Sequence, residues 1–408
     1  GVFARINDMV MSRADEPASQ LEYYLNKQGS KSGIPNILKR SWAQRIGRMT
    51  PYELFKYRNR GLGLVDTIRI SHAKGRYVDE LLRTGTISVE DNSRTWESMR
   101  SAGKTWRETL ITARLGHMAL LRNLRGIFTE IDDPEFCEQV LQQLKRGVPS
   151  GKQFPFRYQS AMNAVNVSGV HHRPQILGAL EECMDIACAN MPRLSGRTMC
   201  LSDNSGSAWG CFNSEYGSVT VASIGNLSSV ITARNSDEGY VGVFGDRLAE
   251  IPVEKRNGIL SQAKNADIQG KTMGMSTENG AWLFFDRAIQ NKEHWDNIFI
   301  YSDMQAGHGG LYGINPAEYQ NYRANGRYID VAMLIETYRR EVNPKVNVYC
   351  IQTAGYNNVL IPENGYRTNI LYGWTGKELV YADAMNRFWD EVDKAHETSD
   401  RSCSEINP

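Results

Sequence analysis

The chain has 408 residues, more than a single hydrophobic core usually serves, so two domains are expected. Hydrophobic residues make up 41% and charged residues 23%, the balance of an ordinary globular protein, and no stretch approaches the ~18 uninterrupted apolar residues of a membrane-spanning helix. The net charge of +1 hides an asymmetry: residues 1–194 hold 28 Lys and Arg against 20 Asp and Glu, net +8, and the remainder 19 against 26, net −7. A basic half joined to an acidic half points to a polyanionic partner for the first.

The first half reads as helix after helix. Apolar residues three or four apart mark Ala18–Lys27, Pro35–Gly47, Pro51–Arg60, Leu64–Ala73, Val78–Leu82, Trp96–Ala102, Trp106–Leu110 and Met118–Phe128. Asp133-Pro134 opens a helix to about Arg146, and His172-Arg173-Pro174 another through Ala189, with Pro at an early helical position in each. Breaks are expected at Ser30-Lys31-Ser32-Gly33 and Val148-Pro149-Ser150-Gly151. Successive short helices with short turns suggest a helical-repeat array over residues 1–194.

The pattern changes near Pro192–Arg197. Apolar strands are expected at Thr198–Ser202, Tyr240–Phe244, Asn297–Ser302 and Val346–Thr353. They alternate with helices at Tyr216–Thr232, Ile259–Ile268, Ala281–Gln290, Ile329–Val342 and Gly376–Val392. That alternation predicts a doubly wound α/β domain over residues 195–408, with a parallel sheet covered on both faces. Ligands of such sheets lie beyond the carboxyl ends of the strands, where Asp203 and Asp303 fall.

Asp203-Asn204-Ser205-Gly206-Ser207 offers a carboxylate and two hydroxyls at i, i+2 and i+4 in a tight loop. Hard oxygen ligands of this kind suit Mg²⁺ or another divalent cation. The DxSxS pattern is the first segment of a metal-ion-dependent adhesion site (MIDAS), which also needs a Thr on a second loop and an Asp after a later strand. Thr277 and Asp303 supply them, giving the expected set Asp203, Ser205, Ser207, Thr277 and Asp303. A lone DxSxS would be weak, because Asp and Ser also cap helices.

No catalytic residue is assigned. A paired general acid and base, a Gly-x-Ser-x-Gly elbow and a phosphate loop are all missing from the sequence. His171, His172 and His308 have no nucleophile at a meaningful spacing, so surface or capping roles are expected for them. The seven cysteines, Cys137, Cys183, Cys188, Cys200, Cys211, Cys350 and Cys403, form no CxxC pair and no zinc spacing. They read as reduced cysteines of a cytoplasmic protein. Asn166-Val-Ser and Asn226-Leu-Ser match the glycosylation acceptor pattern, which carries no weight without a secretory signal. The start at Gly1 reads as processed, tagged or truncated.

Several strings resemble the Ro autoantigen family and its bacterial relatives, whose shared module is called TROVE. They are Leu54-Phe55-Lys56-Tyr57-Arg58-Asn59-Arg60-Gly61, Asp66 to Lys74 with Ser71-His72-Ala73-Lys74 inside it, and Ala119-Leu120-Leu121-Arg122-Asn123-Leu124. Asp203 to Ser207 stands where that family has DVSAS, Tyr301-Ser302-Asp303 where it has FTD, and Gly373-Trp374-Thr375-Gly376 resembles the segment before its last helix. The resemblance implies a HEAT-like helical array forming a partial toroid, followed by a von Willebrand factor A domain. It implies a non-enzymatic RNA-binding scaffold used in noncoding-RNA quality control. Small structured Y-like RNA would bind the outer basic surface and single-stranded 3′ ends of misfolded RNA the central hole, with a ribonuclease or other protein as a further partner and neither membrane nor DNA.

The residues matching the family's RNA contacts are Lys56, Arg60 and His72, with Arg58 an adjacent basic match. Lys56 and Arg60 are four apart and share a helix face, which suits tracking phosphates. Arg122, among the leucines of an apolar helix, is expected to be structural or rim-facing. The chain departs from the family in beginning well inside its helical region, and in carrying Asn204 where a small apolar residue stands in the metal motif. The alternative function is a protein-interaction module, in which the A domain grips a partner's carboxylate through Mg²⁺ and the helical array is a platform.

Overall fold

The computed structural model describes residues 2–59, 63–88, 95–113, 115–189, 191–214, 217–275, 280–303, 323–324, 328–329, 331–354, 365–374 and 376–404. The chain forms two compact units, Gly1–Leu115 and Gly116–Pro408. The first is helical: α1 (Val2–Val10), α2 (Glu16–Gln28), α3 (Asn36–Gly47), α4 (Pro51–Tyr57), α5 (Leu64–Ser71), α6 (Arg76–Thr84), α7 (Trp96–Ser101) and α8 (Trp106–Thr112). Leu21, Trp42, Ile46, Leu54, Leu64, Ile68, Val78 and Leu81 make its main core, one or two from each of α2–α6. The expected apolar spacings therefore fell on true inward faces. Thr50 and Thr105 close α4 and α8 with capping boxes to Glu53 and Glu108, which fixes where both helices begin.

The second unit opens with α9 (His117–Glu130), α10 (Pro134–Gly151), α11 (Pro155–Val165) and α12 (Arg173–Cys188). The expected break at Val148–Gly151 is not one: α10 runs through Pro149 and stops at Lys152, which is left-handed at φ 46°. Pro149 lies in the last turn, where a missing N–H costs one hydrogen bond and a short continuation is tolerated. The helix-to-sheet change lies between Cys188 and Leu194, while the compact units part at Leu115, so α9–α12 share a unit with the sheet.

The sheet follows: β1 (Leu194–Asp203), the hairpin β2 (Cys211–Ser214) and β3 (Gly217–Thr220), α13 (Val221–Arg234), β4 (Ser236–Phe244), β5 (Leu248–Pro252) and α14 (Ile259–Gly270). Then come α15 (Gly280–Gln290), β6 (Asn297–Ser302), the short pair β7 (Arg323–Ala324) and β8 (Tyr328–Ile329), α16 (Val331–Glu341), β9 (Asn347–Gln352), β10 (Thr368–Tyr372) and α17 (Glu378–Ser404). The main sheet has the order β10-β9-β6-β1-β4-β5, parallel except for the antiparallel edge strand β5.

Side-chain alternation assigns the two faces. Met199, Leu201, Ile298, Ile300, Val348 and Cys350 pack against α15 and α16 in one core. On the other face the Tyr301 hydroxyl meets Thr232 of α13 at 2.9 Å, and the Tyr349 hydroxyl donates to the Ala382 carbonyl of α17 at 3.1 Å. Both faces are covered, which is why these strands read as continuous apolar runs. The strand order reverses about β1, with β4 on one side and β6 on the other, and such a switch opens a crevice at the carboxyl ends.

Candidate functional site

β1 and β6 are parallel neighbours in register, Ser202 beside Tyr301, so the chain leaves both strands side by side at the switch point. This brings Asp203 and Asp303 together, both buried. The loop after β1 folds on its own first residue: Asp203 Oδ1 accepts from the Ser205 amide at 2.9 Å, an Asx turn. The Ser205 and Ser207 hydroxyls lie 3.1 Å apart, and Ser207 Oγ donates to Asp303 Oδ2 at 3.0 Å. Four of the five expected metal residues thus form one connected oxygen cluster. Thr277 lies outside the described residues, but the segment before it borders the site, because the Gly206 amide donates to the Met275 carbonyl at 2.9 Å.

Burial, and after it the charge of Asp303, pushes the Asp203 carboxyl up to about 6, against the opposing bonds from Ser205 and Ser302. Two buried carboxylates with adjoining hydroxyls make a set that a hard divalent cation fits. Among the described residues no three His, Cys, Asp or Glu side chains converge on a metal, so the donor set rests on two carboxylates plus hydroxyls. Sequence reasoning missed Ser302, whose hydroxyl donates to Asp203 Oδ2 at 2.7 Å and aims that carboxylate. Its signal was its place just before Asp303 at the end of an apolar strand.

The basic residues belong to the first unit. Lys56 is exposed in the last turn of α4, with its ammonium 5.9 and 5.6 Å from the Tyr52 and Tyr57 ring centroids. His72 is exposed and caps α5 in a left-handed conformation, φ 55°. Both sit at helix carboxyl ends, where the helix dipole favours positive charge. Arg58 turns back on its own helix: its guanidinium lies 3.9 Å over the Phe55 ring and donates to the Phe55 carbonyl. Arg60 lies outside the described residues. Arg69, Lys74 and Arg76, which sequence reasoning left out of the site, are also exposed around the α5–α6 turn.

Arg122 is exposed on α9. His171 and His172 both face Asp132, at 3.5 and 3.1 Å, and His172 is the residue before α12, a capping position. His308 lies outside the described residues. Cys137, Cys183, Cys188, Cys200 and Cys350 are free and buried. Burial pushes the thiols of Cys137, Cys183 and Cys188 up to about 11, 12 and 12, far from the thiolate form that reacts.

No protein-family model matches the chain, and no curated protein is similar enough to match it. Among solved structures it is similar to the crystal structure of the Deinococcus radiodurans Ro (RSR) protein, at 15% sequence identity and a TM-score of 0.53. That likeness covers 88% of this chain and 77% of the other. At such identity it is a likeness of fold, and the chain is Ro-like in fold.

Proposed function

We propose that the chain is a non-catalytic RNA-binding scaffold of the Ro type, with its helices acting as a HEAT-like array and its sheet domain as a von Willebrand factor A domain. The observation that carries this reading is where the positive charge lies. Residues 1–115 hold 20 Lys and Arg against 12 Asp and Glu, whereas residues 116–194 hold 8 against 8. The whole basic excess of the first half therefore belongs to the unit that displays Lys56 and His72. The fold likeness and the sequence strings around those residues support the same reading.

In it, Lys56, Arg60 and His72 contact a small structured noncoding RNA of the Y type, with Arg58 as an adjacent basic contact, and single-stranded 3′ ends are a second class of ligand. Such binding is governed by phosphates and by RNA shape rather than by base sequence. A divalent cation such as Mg²⁺ is held by Asp203, Ser205, Ser207, Thr277 and Asp303. When bound it supplies an open coordination position that takes a carboxylate from a protein partner, a ribonuclease among the possibilities. The setting is the cytoplasm, in noncoding-RNA quality control.

The test is a gel shift with a structured RNA bearing a 3′ single-stranded tail, at several salt concentrations. The intact chain is compared with a Lys56→Ala/Arg60→Ala/His72→Ala variant. Salt-sensitive binding lost in the variant is expected, with a log–log salt slope shallower by about 0.9 for each phosphate contact removed. Equal binding by both proteins would remove the assigned surface, and no binding at low salt would remove the RNA reading. The paired buried carboxylates favour a second reading, an A domain that grips a partner's carboxylate through Mg²⁺ on a passive helical platform. It requires partner capture that chelator abolishes, with no RNA affinity.

A further inference from the structure

Asn204 sits inside the metal loop, between Asp203 and Ser205, yet its buried amide turns away from the oxygen cluster. Its Nδ2 donates to the Ser202 carbonyl and to Asn226 Oδ1 on α13, both at 2.9 Å. Asn226 Nδ2 answers by donating to Asn204 Oδ1 at 2.9 Å and to Asp267 Oδ1 on α14 at 2.8 Å. Ser223 Oγ donates to the other Asp267 oxygen at 3.2 Å. The four amide hydrogens of the two asparagines are all used, and the Asn204 backbone N–H is held by the Phe244 carbonyl of β4 at 2.7 Å. The chain is also closed sterically. A Cβ on Gly270 would stand 1.9 Å from Asn204 Oδ1, so α14 can approach only without a side chain there.

We propose that Asn204, Asn226 and Asp267 form a positioning chain that fixes the metal loop in its cation-ready conformation. The proposal rests on the metal reading above. An ionised carboxylate only accepts hydrogen bonds, so Asp267 dictates that Asn226 presents its NH₂ to α14 and its oxygen to Asn204. That oxygen in turn dictates that Asn204 presents its NH₂, and the second hydrogen of that group ties down the Ser202 carbonyl, directly before Asp203. The orientation of two amides, and through them the backbone on both sides of Asp203, is thus set from a helix that contributes no ligand. Asn226 matches a glycosylation pattern in sequence, but its burial in this chain gives it this different role. An apolar residue at position 204 would fill space equally well. A fully satisfied buried polar chain instead specifies one arrangement. Groups that orient metal ligands from behind typically govern affinity by about 10- to 100-fold.

The test measures Mn²⁺ affinity of the full chain by titration calorimetry, with thermal melting recorded on the same samples. Asn204→Ala is expected to weaken Mn²⁺ binding about tenfold or more. Asp267→Asn, which keeps shape but lets either amide orientation persist, should weaken it several-fold. Ser229→Ala, a buried hydroxyl of α13 outside the chain, should leave it unchanged. Wild-type affinity in both Asn204→Ala and Asp267→Asn overturns the proposal, whatever their melting temperatures, and so does a Ser229→Ala loss as large as theirs. If Asn204→Ala does not fold, Asp267→Asn decides. Absence of Mn²⁺ binding by the wild-type protein overturns the metal reading and this proposal with it, an outcome distinct from unchanged variants.

Discussion

Glu181 on α12 closes the N-terminus of α14, 79 residues downstream. Its Oε2 accepts from the Leu260 amide at 2.9 Å and its Oε1 from the Ser261 amide at 2.7 Å, with the Ser261 hydroxyl as a third donor. The N-cap position itself is Gly258, which has no side chain to do this, and a Cβ there would stand 2.4 Å from the Glu181 carboxyl carbon. Glu181 is therefore the capping group of a helix it does not belong to. Loss of a helix cap costs about 1–2 kcal/mol, and loss of a negative charge at a helix N-terminus about 0.3–1 kcal/mol. Part of the site is exposed, so about 2 kcal/mol is expected for Glu181→Ala and about half that for Glu181→Gln, which keeps one acceptor. In a domain of this size that is a fall in Tm of roughly 5 °C. Gly258→Ala should cost about as much, because its methyl displaces the carboxylate and cannot cap in its place. Urea denaturation of the two single variants and the double variant is the assay. The double variant should be little worse than either single, since both remove one interaction. Additive losses, or a loss under about 0.5 kcal/mol in Glu181→Ala, would refute the cap.

Arg367 is a buried guanidinium that donates to Asp390 at 2.6 Å, Asp393 at 2.8 Å and Asn347 at 2.9 Å, so Arg367→Met should cost about 3–5 kcal/mol by urea denaturation. Burial works to raise the Asp393 carboxyl, but the bonds from Arg367 and Tyr366 outweigh it and hold it low; its stabilisation is present above the unfolded value near 3.9 and lost as pH falls through the folded value, and Arg367→Met should flatten that acid limb. His117 is held below its ordinary value by burial, partly opposed by a bond to Leu144, and its ring meets the Tyr158 hydroxyl at 2.9 Å. Its contribution is complete above the unfolded value near 6.5 and declines below it, so melting temperature should fall between about pH 7.5 and 5.5, with a flatter profile in His117→Gln. In the RNA gel shift, Lys56→Ala should reduce the salt slope by about 0.9 while Arg122→Ala on α9 leaves it unchanged; equal effects would show that RNA also runs over α9.

Most helices and the inner strands were legible because burial imposes period on sequence. Leu120, Leu121, Leu124, Ile127 and Phe128 on α9 are buried and spaced as one face, and β6 is buried throughout and apolar from Ile298 to Tyr301 because both its faces are covered. Elements with weaker constraints were missed. Strand β5 reads Leu-Ala-Glu-Ile-Pro because it is a half-exposed edge, and β10 carries polar residues for the same reason. The segment from Tyr216 looked wholly helical, yet Gly217–Thr220 pairs in a hairpin before α13 starts, since Thr220 caps that helix through the Ser223 amide. The oxygen cluster of Asp203, Ser205, Ser207 and Asp303 was readable because its residues adjoin strand ends, where sequence position and spatial position coincide. The chain behind it was not readable: Asn204, Asn226 and Asp267 lie on three elements, and nothing in their spacing says they touch.

The charge asymmetry takes on a sharper meaning once the compact units are known. Split at residue 194, it gives a basic half containing all the early helices. Split at residue 115, where the structure divides, the four helices α9–α12 hold no net charge and the +8 falls on the first unit alone. Screening limits a surface charge to a range of about 8 Å at physiological ionic strength, so attraction for a polyanion follows local excess rather than the sum over the chain. Overall neutrality is thus no argument against RNA binding, and the residues after 194, net −7, need not weaken it. The basic side chains of α4 and α5 also stand at helix carboxyl ends, where the dipole already favours them, so their presence alone would be explained by helix stability. Lys56 and His72 stay exposed, while Arg58, two residues from Lys56, folds back onto Phe55. A charge used only to finish a helix can take the inward geometry of Arg58. The RNA surface proposed above draws on exposed residues of this kind, Lys56 and His72 with Arg69, Lys74 and Arg76.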